Sequence, residues 1–134
     1  MKNELVAELR KGGLFEPLDL GPATAESVDY PDYAVKVTSA VLSKEATLGV
    51  LVCGTGIGMN ISANKVNGIR AALCHTELEA RMCRMHNDAN VLCLGQRVIG
   101  GGVAIELLKA FLSTAFEGGR HSRRVDKMNA LEAR

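Results

Sequence analysis

The sequence predicts an α/β domain of 134 residues, Rossmann-like, with a parallel sheet between two helical layers and its first strand apparently missing. Three observations carry this. Apolar segments of strand length alternate with segments of helical period, the pattern of parallel strands joined by helical crossovers. No tight hairpin turn joins two strand-like runs. The chain also opens in a helical pattern, where doubly wound domains commonly open with a strand.

The elements follow in order. Leu5, Val6 and Leu9 form one helical stripe over 2–11, and Gly12 and Gly13 stop it. Residues 15–20 read as a short strand, followed by a polar loop with two prolines. Ala34, Val37, Val41 and Leu42 recur at helical spacing within 33–45. The run 48–53 is nearly continuously apolar, as in a strand covered on both faces. A short helix over 59–66 and a strand over 69–74 come next. Thr76 and Glu79 make a capping-box pattern for a helix running to about residue 85. An apolar strand at 90–94, an amphipathic helix at 101–116 and a basic helix at 121–132 complete a single domain.

Composition narrows the function. A net charge of +1 gives no overall attraction to nucleic acid or an anionic membrane, so any anion must meet a local cluster. No apolar run approaches the roughly 20 residues that span a bilayer. The first residues mix charges with leucines and lack a signal-peptide core, which predicts a cytoplasmic protein. Cys53, Cys74, Cys83 and Cys93 form no CxxC pair and no close Cys/His pattern, so structural zinc is not expected; a cofactor is not expected either. In a reducing compartment they are free thiols, and Cys74, Cys83 and Cys93 read as small core residues.

Cys53 differs. It ends a strand and opens the stretch CGTGIG, with Gly54, Gly56 and Gly58 at alternating positions before a helix. The first amides of a helix lack partners and carry partial positive charge. Glycines let the backbone aim such amides at an oxygen of a phosphate, carboxylate or enediolate. The stretch is neither a P-loop nor GxGxxG. A thiol at such a position ionises more readily. It suits nucleophilic attack on a carbonyl, or proton abstraction beside one, and the spacing does not choose between them. His86 and Asn87 fall between a helix and a strand, where an imidazole can move protons near neutral pH. Arg120, Arg123 and Arg124 follow a double glycine, and arginine forks match phosphate oxygens. A surface histidine at a helix end and a solvated basic helix start are the plainer readings of these two groups.

Taken together, VCGTGIGMNISANKVNGIRAAL, RMHNDANVLCLGQRVIG, FEGGRHSRRVDKMNALE and DYPDYA resemble ribose-5-phosphate isomerase B, whose family includes galactose-6-phosphate isomerase subunits. The likeness runs from about Lys2 to the C-terminus. It implies an aldose–ketose isomerase that interconverts D-ribose 5-phosphate and D-ribulose 5-phosphate through an enediol, without a metal. It implies that Cys53 is the base, that Gly54, Thr55, Gly56, Ile57 and Gly58 cradle the enediolate, and that His86 assists ring opening. Asn87 and Tyr30 would contact the sugar, and Arg97, Arg120 and Arg124 the phosphate. The site is expected between two subunits of a homodimer or homotetramer, with residues 120–134 as an arm toward the partner. The family's opening strand and its Asp- and His-bearing loop have no counterpart here, which predicts unpaired sheet backbone and an exposed apolar slot. Other readings are a weakly active or inactive phosphosugar-binding homologue, and an isomerase of allose or galactose 6-phosphate. A cysteine hydrolase is weaker, because no Asp or Asn is evidently placed to orient His86.

Overall fold

The computed structural model describes residues 1–133. Three parallel strands, β1 (Gly49–Cys53), β2 (Ala71–Leu73) and β3 (Val91–Gly95), form a sheet in the order β1-β3-β2. Six helices accompany them: α1 (Lys2–Gly12), α2 (Tyr30–Leu42), α3 (Ile57–Asn64), α4 (Glu77–Asn87), α5 (Gly101–Ser113) and α6 (Arg120–Ala130). A 3-10 turn, Leu131–Ala133, follows α6.

The three layers arise from the two-residue period of the central strand. Leu92 and Leu94 of β3 enter one core with Leu5 of α1, Ala80 and Cys83 of α4, and Leu107, Leu108 and Phe111 of α5. Val91 and Cys93 enter the other with Ala34 and Val41 of α2 and Met59 and Ala63 of α3. Every residue of β3 is buried, which explains the near-continuous apolar run in its sequence. The pairing Gly49↔Val91 through Cys53↔Gly95 sets the ends of β1 and β3 level.

Local chemistry fixes the helix ends. Gly13 takes a left-handed conformation (φ 69°) after α1. Pro31 stands in the first turn of α2, where its missing N–H costs nothing. At α4 the expected capping box is formed: the Glu79 amide donates to Thr76 Oγ1, and the Thr76 amide to the Glu79 carboxylate.

Some expectations need correction. Residues 15–20 form no strand: Pro17 lacks a ladder donor, no strand lies alongside, and Leu14, Phe15 and Leu18 remain exposed. Among the described residues β1 pairs with β3 alone, at one edge of the sheet. The Gly49 amide donates to the Asn90 carbonyl, so by alternation the amides of Val50 and Val52 point away from β3. β2 is shorter than expected, and α5 stops at Ser113 because Thr114 leaves the helical conformation (φ −103°, ψ 126°).

Candidate active site

Cys53 is the last residue of β1, at the carboxyl edge of the sheet, and it is half-buried. Its Sγ accepts a hydrogen bond from the Gly56 amide at 3.2 Å. Gly56 is the N-cap of α3 and holds φ at 79°. A Cβ there would lie 2.5 Å from Leu73 Cδ1 and 2.9 Å from the Leu94 carbonyl carbon, so both conformation and space demand glycine. The Thr55 hydroxyl accepts from the Ile57 amide at 3.3 Å. The amides of Gly58 and Met59 follow in the first helical turn, where no intrahelical acceptor reaches them.

Two further expected residues meet this loop. The Arg97 side chain lies along Gly54, with its Nε 3.5 Å from where a Cβ would stand. The turn after β3 holds it there: the Gln96 amide donates to the Cys53 carbonyl and the Arg97 amide to the Gly54 carbonyl, both at 2.9 Å. The Tyr30 ring covers Gly58, since a Cβ on that residue would come within 2.6 Å of the phenol oxygen. Tyr30, Thr55, Ile57 and Arg97 are exposed, so this end of the sheet is open to a ligand.

The other thiols lie in the core. Cys93 is fully buried, and burial pushes its pKa up to about 12, so it stays neutral. Cys74 is buried beside Cys83, and their mutual hydrogen bond together with burial raises the Cys74 pKa strongly.

His86 and Asn87 lie elsewhere. They occupy the last turn of α4 rather than a loop beyond it, at the amino end of the strands. The Asn87 carbonyl accepts from Arg70 Nε at 3.1 Å, just before β2 begins. Arg70 also donates to the Asp88 carboxylate and to Asn129 of α6, while Arg84 grips the opposite Asp88 oxygen. Asp88 takes the left-handed conformation (φ 48°) that this clasp needs. The His86 ring stacks on His121 of α6, with centroids 4.2 Å apart and planes 12° from parallel. His121 is buried, and its Nε2 faces a Glu117 oxygen at 3.3 Å. Burial, with His86 and then Arg120, holds the His121 pKa below the usual imidazole range. His121 was not among the residues the motifs singled out. Its spacing of four from Glu117 was the available signal.

Arg120 and Arg124 are exposed on α6 at this same end. Among the described residues neither they nor Arg97 or Arg123 form an ion pair. The expected site residues therefore fall into two separate groups. Tyr30, Cys53, Thr55, Gly54–Gly58 and Arg97 gather at the carboxyl edge, and His86, Asn87, Arg120 and Arg124 at the amino edge. A five-residue strand separates these edges by about 13 Å.

The chain matches the Ribose/Galactose Isomerase family over residues 1–128. It is 45% identical to ribose-5-phosphate isomerase B of Escherichia coli over 134 residues, covering 100% of this chain and 89% of that protein. It superposes on ribose-5-phosphate isomerase B of Clostridium thermocellum with a TM-score of 0.96 and 48% identity, covering 98% of this chain and 88% of that one. The Mycoplasma genitalium enzyme, solved with bound ribulose-5-phosphate, gives a TM-score of 0.90 at 42% identity, covering 97% of this chain and 87% of that one.

Proposed function

We propose that this chain, which belongs to the ribose/galactose isomerase family, interconverts D-ribose 5-phosphate and D-ribulose 5-phosphate with Cys53 as the base. Sugar-phosphate isomerisation is the activity its relatives support. The observation that carries the finer reading is the Cys53 sulfur, held by the Gly56 amide at the open mouth of a helix N-terminus.

The chemistry follows from that placement. The thiolate of Cys53 takes the proton from C2 of the open-chain aldose, and the C2 electrons form a C1–C2 double bond. Negative charge collects on O1, where the amides at the start of α3 stabilise it. A proton moves from O2 to O1, and Cys53 returns its own proton to C1, leaving the ketose. No electron leaves the substrate, so no redox cofactor is needed, and in this reading the α3 amides rather than a Lewis-acid metal stabilise the developing charge. Arg97 and Tyr30 border the same opening and hold substrate groups away from the reacting carbons, which converts binding energy into positioning.

The second half-site completes the reaction in a homodimer. His86 of the partner subunit opens the furanose ring, and Arg120 and Arg124 of the partner subunit grip the phosphate beside Arg97. Two features support this reading: the two groups of residues lie at opposite ends of the strands of one chain, and Arg97, Arg120 and Arg124 form no ion pair among the described residues.

The direct test is turnover of D-ribose 5-phosphate by the protein and by its Cys53→Ser variant. The expected loss is on the order of 100-fold or more in kcat with KM little changed. Undiminished turnover in the variant removes Cys53 from the reaction. Faster turnover of allose 6-phosphate or galactose 6-phosphate reassigns the sugar, and ribose 5-phosphate binding without turnover makes the protein a binding homologue.

A further inference from the structure

His86, Glu117 and His121 offer ligand atoms that all lie within 4.8 Å of one another. We propose that they form a binding site for a borderline transition-metal ion such as Zn²⁺, whose occupation would take up the His86 imidazole that the proposed reaction uses for ring opening.

Two imidazoles and one carboxylate make a common donor set for zinc, with bonds of about 2.0–2.2 Å. Two ligands of a tetrahedral ion then stand roughly 3.3 Å apart. His121 Nε2 and the Glu117 oxygen are separated by 3.3 Å, which suits shared coordination and is long for a charge-assisted hydrogen bond. These two donors therefore need little movement. His86 must move more, because its ring lies parallel to His121 at 4.2 Å. It is half-exposed in the last turn of α4, so rotation of its ring can turn a nitrogen toward the ion. Backbone bonds hold the segments that carry the donors together: the Glu117 amide donates to the Met85 carbonyl at 3.1 Å, and the His121 amide to the Gly118 carbonyl at the same distance.

The surroundings set the selectivity. Arg120 and Arg124 bring positive charge toward His121, which opposes any cation. An ion with strong nitrogen bonds overcomes that opposition, whereas Mg²⁺ and Ca²⁺, which prefer oxygen ligands, do not. The half-buried position of His86 leaves a coordination position for water or an anion.

The test is cobalt spectroscopy with zinc calorimetry on the intact protein, a readout that does not depend on isomerase activity. The expected result is one Co²⁺ per chain, with the visible bands of a four- or five-coordinate ion and no thiolate-to-cobalt charge-transfer band. Zn²⁺ should displace it, a large excess of Mg²⁺ should not, and Cys53→Ser should bind as the parent does. Glu117→Gln, an exposed change that leaves the fold intact, should weaken Zn²⁺ by about tenfold or more, as should His121→Asn. Absence of Co²⁺ uptake at millimolar ion overturns the proposal. So does a charge-transfer band lost in Cys53→Ser, or parental affinity in Glu117→Gln.

Discussion

The Cys53 sulfur and the Gly56 amide stand 3.2 Å apart because a positive-φ residue turns the chain between strand and helix. Gly56→Ala places a methyl group against Leu73 and the β3 backbone while forcing an L-residue to φ 79°. Its expected cost is about 1–3 kcal/mol in denaturant unfolding, with loss of turnover where the protein still folds. An unchanged midpoint and rate would show that the turn is less constrained than its geometry implies. The part of the candidate site built on this turn was legible in the sequence, because strand, glycines and helix are consecutive. The His86–His121 stack was not. It depends on α6 folding back against the end of α4, and residues 35 positions apart carry no mutual pattern in a single chain.

At the scale of elements, α4 is the clearest case of sequence chemistry becoming structure, since Thr76 and Glu79 satisfy each other's neighbouring amides as expected. Thr76→Ala should cost about 1 kcal/mol, read as a lower unfolding midpoint with unchanged m-value. The amides of His75 and Thr76 donate to Glu79 and hold its pKa below 4.5. The folded chain then binds this proton less readily than the unfolded chain. The resulting stabilisation is complete above about pH 4.5 and is lost as pH falls through the lower folded value. Glu79→Gln should flatten the acid limb of the stability profile in that window, measured by urea titrations between pH 3 and 6 on the order of half a unit apart. An acid limb identical to the parent's would remove Glu79 as a contributor. The segment 15–20 shows the converse. Its apolar Phe15, Leu18 and Leu20 suggested a strand, yet strands need neighbours, and local composition does not disclose whether one stands alongside.

For the whole molecule, the separation of two half-sites along the sheet axis makes assembly a condition of catalysis in the proposed reading. A mixing experiment reads this directly. Cys53→Ser and His86→Asn homodimers should each be nearly inactive. Equal amounts, dissociated and reassembled together, should recover roughly a quarter of the parental rate, because half of the dimers are mixed and each mixed dimer holds one intact site. No recovery would place both residues in one chain's site or remove one from the reaction. The layer order was legible because buried β3 and the helical periods are properties of contiguous segments. The relation between the two poles was not, since it belongs to how crossovers return the chain to the far side of the sheet.

β1 also carries a consequence for heating. Among the described residues the sulfur sits on a ribbon zipped along one flank only, with the Val50 and Val52 amides turned outward. Those two amides should trade hydrogen for deuterium well ahead of Leu51, whose N–H enters the ladder. Warming should therefore silence the reaction some degrees before α5 and the buried middle strand let go. Coincident loss of rate and of far-ultraviolet ellipticity would show that the open flank melts with everything else.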